Sequence, residues 1–406
     1  MTTAVQVQYR RGTSSQVAFF TGAAGEMVVD TTNNRVVVQD GSTAGGWPAA
    51  KLSEVTKSIN GLNGALTISP TDGNVVSASG STISIGGPGG MVNKFRNGTM
   101  DVWQRGTSPS LTAGTSGSQY TADGWTVNWT ASSSAAPAIS QESGRLLTKN
   151  SLQVTGAANI TDVQVQQRIE SLIAAAFCSQ TATVQAEVYN NTGASITPTL
   201  TVKHAGSQDN WTSPSTDVNA VSLQACASAQ WTQLAYTFSA NANSYNGLEI
   251  IFDFGNNFSS SGKDVQITEC DIRVTPNASA GLNSSPPPPE LRPIAVELPF
   301  CQRYFQSSFP VGVTPQNSYG SPRVAAYAAN TTTAQSIVNF LVPFMTTPSS
   351  ISFFSGSGGT SGDWEFLGSG SSGATSVASS GAAITNTWMA VNVALSGLTT
   401  GAANAS

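Results

Sequence analysis

The sequence predicts an all-β, multidomain protein, and three observations carry that expectation. Only 10% of the 406 residues are charged, against about 25% in ordinary soluble domains. The long helix formers Lys, Glu and Arg are therefore scarce, while 55 Ser and 45 Thr make up a quarter of the chain and Gly adds 39. Those three residue types are poor helix formers. Between them, alternating runs of Val, Ile, Tyr and Phe recur at roughly 10–15 residue spacing and stop at Gly, Asn or Pro, as strands do. Hydroxyls and exposed backbone, rather than charge, must hydrate the surface.

Residues 1–54 form the first predicted domain. VQVQYRRG alternates, and EMVVDTTNNRVVVQDG reads as two strands joined by a turn over Thr31–Asn34, with Val28, Val36 and Val38 supplying an apolar face. GSTAGGWPAA closes the segment with small residues and Trp47. So short a unit buries too little surface to be very stable alone, which predicts packing against copies of itself or a docking partner. The pattern resembles the N-terminal domain of many tailed-bacteriophage fibre and tropism-determinant proteins. Arg10, Arg11, Gly12, Thr13, Gly25, Glu26, Asp30, Asp40, Gly41 and Gly45 fall on that family's motif. The resemblance implies a trimeric domain that attaches the protein to the virion. Arg10, Arg11, Glu26, Asp30, Asp40 and Trp47 are the expected attachment residues.

Residues 55–92 follow as a connector in which Leu66/Ile68, Val75/Val76 and Ile83/Ile85 are separated by Asn-Gly and Asp-Gly turns. No such pair can make a core by itself. Three chains wound about one axis would solve this, as in the short shafts of phage fibres that the segment resembles; the alternative is a flexible linker.

Residues 93–282 contain the strand-like runs TATVQAEVYN, PTLTVKHAG, WTQLAYTFSA, LEIIFDFGN and KDVQITECDIRVTP, the pattern of an antiparallel jelly-roll sandwich. Val165–Phe177 carries apolar residues near helical spacing at Ile169, Leu172, Ile173 and Ala176, which predicts a capping turn of helix. The segments NGTMDVWQRGTS, TADGW, QRIES and ELPFCQRYFQ are similar to jelly-roll modules of phage tail proteins, relatives of carbohydrate-binding modules. Residues 283–309 hold the spacer SSPPPPELRP, stiffened as polyproline II, and then a short helix expected from about Leu298 with Pro299 in its first turn. Residues 310–406 resume strand patterning in RVAAYAAN, QSIVNFLVPF, SISFF, DWEFLG, SVASSG and TWMAVNVALSG. After Glu365 no charged residue follows for 41 positions, which predicts burial of this end about a threefold axis.

A net charge of −5 without any basic run argues against nucleic-acid binding. The N-terminus lacks an apolar signal region and no stretch approaches 18 apolar residues, so neither secretion nor membrane insertion is expected. Cys178, Cys226, Cys270 and Cys301 are too sparse for a disulfide framework and read as small buried hydrophobes. The single histidine, His204, reads as a surface strand residue, and no GxSxG surrounds a serine. Asp253, Asp264, Glu269 and Asp271 could supply a glycosidase pair but fit an ordinary solvent face as well. No enzyme, catalytic residue, cofactor or metal is therefore predicted.

The remaining chemistry is aromatic. Sugars stack their C–H faces on aromatic rings while Asn and Asp satisfy their hydroxyls. Trp125, Trp129 and Trp211, with Asp209, Asn210 and Tyr245, are the expected glycan contacts, and Trp211 in the polar loop QDNWTSPSTD is the best of them. The expectation is a phage virion protein, a trimeric tail fibre or spike assembled in the bacterial cytoplasm. Its partners would be other virion proteins (baseplate, tail or head) and a host surface polysaccharide. The alternatives are a head-decorating fibre or structural protein without receptor role, and a capsule depolymerase.

Overall fold

The computed structural model describes residues 9–51, 75–79, 82–86, 91–145, 147–276, 278–316, 326–330, 333–354, 366–368, 371–373, 381–394 and 403–404. It is built almost wholly of strands, and its contacts divide the chain into two compact units, Met1–Thr71 and Asp72–Ser406.

The first unit is a four-stranded sheet of β1 (Arg10–Gly12), β2 (Met27–Asp30), β3 (Arg35–Val38) and β4 (Trp47–Pro48), in that order. Helix α1 (Ser14–Ala18) starts at a capping box in which Thr13 and Gln16 satisfy each other's backbone N–H. The β2–β3 hairpin turns over residues 31–34 as expected, but its apolar face is not the expected one. The turn pairs Asp30 with Arg35, which sets Val28 opposite Val37. Directly opposed residues share a face, so Val28 and Val37 join Val17 in the core while Val36 and Val38 point outward.

In the second unit, β5 (Val75–Ser79) and β6 (Thr82–Gly86) form an antiparallel hairpin within one chain. It carries two of the connector's apolar pairs; Leu66/Ile68 lies outside the described residues.

The sandwich follows. Its strands are β7 (Gly114–Tyr120), β8 (Thr126–Ala135), β9 (Ala138–Ser143), β10 (Asn150–Thr155), β11 (Ile160–Ile169) and β12 (Thr181–Asn191), then β13 (Thr199–His204), β14 (Ser215–Ser222), β15 (Gln230–Ser239), β16 (Leu248–Asp253), β17 (Asp264–Val274) and β18 (Gly281–Leu282). They form two six-stranded sheets, ordered β14-β13-β16-β11-β8-β7 and β18-β15-β12-β17-β10-β9. Alternate residues of both meet in one core, which includes Val163, Val165, Leu200, Val184, Val188 and Ile267. The predicted helix over Val165–Phe177 is mostly strand. The period-2 run VQVQQRI stays in β11 to Ile169, and only Ser171–Ala174 (α2) and a 3-10 turn at Ala175–Phe177 are helical. His204 is likewise not on the surface. It shares the inward face of β13 with Leu200 and Val202, is buried, and bonds Asp217 Oδ1 through Nδ1 at 2.8 Å.

The proline segment lies across the second sheet rather than spanning open space. Gln185 Nε2 donates to Pro287 O at 2.7 Å, and Arg273 donates to Pro288 O at 2.9 Å. Helix α3 (Ile294–Gln302) begins four residues before Leu298, so Pro299 sits in its interior. Pro293 caps it, and the buried Glu297 of its first turn accepts from Asn97 N at 2.6 Å and Arg292 Nε at 2.7 Å. The aromatic residues after it dock on the sandwich: Arg105 lies 3.7 Å over Phe305 and Arg96 3.9 Å over Tyr304.

The C-terminal strands are β19 (Ala326–Asn330), β20 (Thr333–Asn339), β21 (Phe366–Gly368), β22 (Ser371–Gly373), β23 (Gly381–Ile384), β24 (Trp388–Ala394) and β25 (Ala403–Asn404). Five make a sheet in the order β23-β24-β20-β19-β25, and β21 pairs with β22. SISFF adds no strand. Both edges of β24 are taken by β20 and β23, and Ile351 and Phe353 pack against the small core of Ala334, Met389 and Val391 instead.

Candidate functional site

Strand alternation makes the outward face of the first sandwich sheet largely polar, with Tyr120 and Ile251 as its apolar members. In β11 the inward residues are Val163, Val165 and Ile169, so Asp162, Gln164, Gln166 and Arg168 face out. Cross-strand register extends each of these into a row. Ser118, Asn128, Gln164, Asp253 and Thr199 form one. Tyr120, Thr126, Gln166, Ile251 and Thr201 form the next, and Arg168, Glu249 and Lys203 the third. Hydrogen bonds hold these side chains in place. Gln164 Nε2 donates to Asp162 Oδ2 and to Asp253 Oδ2, both at 3.0 Å. Arg168 Nε donates to Glu249 Oε1 at 2.6 Å, and the guanidinium lies 4.7 Å over the Trp211 ring. Side chains whose rotamers are already fixed lose little entropy when a ligand arrives.

Two charged groups mark the ends of the face. Burial, and then the neighbouring Asp253 carboxylate, push Asp162 up to about 6. At the other end Arg168 and Lys203 supply positive charge. Between them lie amides and hydroxyls, which both donate and accept as sugar hydroxyls do.

Four of the six expected glycan contacts come together at the Arg168 corner. The β13–β14 loop turns through Asp209, whose carboxylate accepts from Ser171 N at 2.8 Å and Ser171 Oγ at 2.7 Å. Asp209 N donates to Asn246 O at 2.8 Å, which ties the loop to the 3-10 turn Ala242–Asn246 that carries Tyr245. Tyr245 is 51% exposed and Asn210 is exposed, with its Oδ1 bonded to Thr212 N. Asp209 is thus an anchor, and Trp211, Asn210 and Tyr245 are the groups a ligand could reach.

Trp125 and Trp129 are corrections. Trp125 is fully buried, its Nε1 donating to Asn97 O at 3.0 Å. Trp129 packs so closely on Gly117 that a Cβ there would lie 2.0 Å from its ring. Four-residue spacing placed both on one face, but that face is the core. The residues that sequence reasoning missed are the outward Asn128, Gln164, Gln166 and Glu249. Their signal was the repeated Gln in VQVQQR, where a plain solvent face needs no particular amide.

In the first unit the motif residues divide similarly. Asp30 accepts from Ser14 Oγ at 2.8 Å, Asn33 Nδ2 at 2.8 Å and Thr32 N at 3.0 Å. Burial disfavours its anion, yet these donors together pull it down to about 2. Asp40 takes Thr43 Oγ1 at 2.6 Å, Thr43 N at 2.7 Å and Trp47 Nε1 at 3.0 Å, which hold it below the usual carboxylate range. Both carboxylates lock turns. Arg10 pairs with Glu26 at 3.2 Å and lies over Phe20. Arg11 and Trp47 are exposed, Trp47 by 65%.

Residues 7–43 match the Major tropism determinant N-terminal domain. The chain is 41% identical over 124 residues to the tail fiber receptor-binding protein of Bordetella phage BPP-1, and that stretch is 30% of this chain and 30% of the phage protein. Among solved structures, a CBM4 module overlaps 45% of this chain and 99% of its own, at 14% identity and a TM-score of 0.29. The enzymatically active domain of tailspike protein 4 of bacteriophage CBA120 overlaps 37% of this chain and 19% of its own, at 11% identity and a TM-score of 0.29. Overlaps this loose carry no argument. What the comparisons establish for this chain is a tropism-determinant N-terminal domain over residues 7–43.

Proposed function

We propose that this chain is a structural fibre or spike protein of a phage virion. Its N-terminal domain attaches it to the particle, and its sandwich binds a host surface glycan without cleaving it. Five parts follow from the sequence: attachment domain 1–54, shaft 55–92, sandwich 93–282, proline strap with helix 283–309, and C-terminal domain 310–406. The assembly is a homotrimer. The observation that carries the receptor role is the outward face of the first sandwich sheet, a hydrogen-bonded field of amides, carboxylates and hydroxyls that ends on Trp211. Sugar hydroxyls exchange one such network for another, and the half-buried Trp211 ring beside the exposed Tyr245 offers apolar surface for a sugar's C–H face.

The carboxylates support binding rather than cleavage. Glycoside hydrolysis sets its two carboxyl groups roughly 5–9.5 Å apart. Asp162 and Asp253 are both tied to Gln164 Nε2, which donates to each at 3.0 Å, and Asp271 is engaged by Arg273 beneath the proline strap.

Competition for adsorption tests the proposal. The full-length protein, added to host cells before phage, should block adsorption, and it should bind purified host polysaccharide without releasing reducing ends. An intact assembly that binds no host polysaccharide overturns the receptor role and leaves a scaffold; reducing-end release makes it an enzyme.

A further inference from the structure

The second sandwich sheet carries an open strip that the proposed receptor face does not use. Register aligns Trp231, Tyr189, Gln266, Gln153 and Ser140 in one row across β15, β12, β17, β10 and β9. Asn191, Asp264 and Thr155 lie beside them in the next row. Their strand neighbours Val188, Val265, Leu152 and Val154 are in the core, so both rows face outward. Parts of the rest of the sheet are covered. The proline strap lies over Gln185 and Arg273, and the turn between β9 and β10 is held down by an Arg145–Glu187 ion pair and a Thr148–Thr268 contact of 3.0 Å. These covers leave the strip open.

One end of the strip is aromatic. Tyr189 and Trp231 sit 5.5 Å apart, tilted by 49°, half-buried and outside the apolar core. The other end is a pre-oriented amide network. Asp264 accepts from Gln153 Nε2 at 2.9 Å and from Asn191 Nδ2 at 2.7 Å. Ser140 Oγ donates to Gln153 Oε1 at 3.0 Å, and Ser151 Oγ donates to Gln266 Oε1 at 3.1 Å. That bond uses Gln266 as an acceptor and leaves its NH2 to donate. Neither row holds Lys or Arg, whereas Asp264 lies in one and Glu142 is exposed beside the other. An acidic glycan, a nucleic acid or an anionic lipid would meet repulsion without a counter-charge.

We propose that this strip is a second glycan subsite, selective for a neutral polysaccharide strand. One sugar stacks on the Tyr189–Trp231 pair and the following hydroxyls bond Gln266, Gln153 and Ser140. The inference rests on the reading of the sandwich as a glycan binder, but its residues are separate from those of the first face.

Calorimetric titration of the full chain with neutral hexaoses of glucose, mannose, xylose and N-acetylglucosamine tests it. At least one should bind, with affinity falling tenfold or more in Trp231→Ala and in Gln266→Ala. Gln266→Ala leaves the aromatic pair and the core in place, so its loss of binding cannot come from unfolding if the thermal midpoint is unchanged. Hexaose binding abolished by Trp211→Ala and untouched by the other two overturns the second subsite and leaves the first. Failure of every hexaose, with host polysaccharide still bound through Trp211, overturns the second subsite alone. Failure of hexaoses and host polysaccharide together overturns both.

Discussion

Asp209 and Trp211 stand two residues apart and do different work. The carboxylate of Asp209 holds the loop to Ser171, at the start of α2, so Asp209→Ala leaves that backbone N–H without its acceptor. An orphaned polar group of this kind costs about 1–3 kcal/mol. The variant should show that loss in denaturant unfolding and should weaken glycan binding as well, because the ring it positions is freed. Trp211→Ala should instead leave unfolding nearly unchanged and lower glycan affinity by roughly tenfold, the worth of one stacking contact. Asp162 gives a test by pH. Its folded pKa of about 6 lies above the ordinary aspartate value of 3.8, so between those values the native state keeps a proton that the unfolded chain has lost. Stability from this group is therefore full below about pH 4 and falls as pH rises through 6. Asp162→Asn should flatten the stability profile across that window and make the protein more stable than the parent at pH 7. A parent profile that rises with pH there would contradict the assignment.

At the scale of elements, Arg292 joins parts distant in sequence. It donates to the carbonyls of Asn93 and Phe95 and pairs with the buried Glu297 at 2.7 Å, fastening the proline strap and α3 to the first segment of the sandwich. Removing one partner of a buried ion pair leaves the other uncompensated, at about 3–5 kcal/mol. Arg292→Ala should therefore lower the sandwich's unfolding midpoint sharply, while Arg292→Lys recovers part of it. The strap also shows where sequence reading stops. Period-2 alternation made the strands of the sandwich legible, from Thr181–Asn191 to Asp264–Val274, because it is a local property. Four prolines specify stiffness equally locally, but nothing in SSPPPPELRP says which surface it crosses; that depends on Gln185 and Arg273, about a hundred and about fifteen residues away. Facing is only partly local. Trp125 and Trp129 were placed correctly on one face, yet which face is the core depends on the opposing sheet. Val36 and Val38 were turned the wrong way because the turn at 31–34 sets which residue opposes Val28. The proposed glycan corner is suggested in the sequence by Trp211, a large apolar ring in a polar loop. The amide field was not legible, because its glutamines look like solvent-facing residues until register lines them up.

At the scale of the whole molecule, two surfaces ask for a second copy of the chain. In the N-terminal sheet, Met27 opposes Val38 and Val38 opposes Trp47, so three apolar side chains form a line across three strands. They are 42%, 42% and 65% exposed. Among the described residues, that unit's core is Val17, Val28 and Val37 with Phe20 against it, too little to stabilise an isolated domain. The last 41 residues carry no charge to keep copies apart. In the proposed homotrimer, closed threefold symmetry would answer both. Sedimentation of the full chain should give about three times 41.7 kDa, and a monomer would contradict the assembly. Replacing Met27, Val38 and Trp47 together by Ser should weaken that association without touching the sandwich, whose own unfolding transition should stay in place. Weak sugar sites linked on one particle gain avidity of roughly 10²–10⁴ over single sites. Dissociation by the triple variant should therefore cost adsorption to host cells by a factor of that order, while hexaose affinity per chain is unchanged. If adsorption survives in the monomer, the sites are strong individually and trimerisation serves attachment to the virion rather than grip on the host.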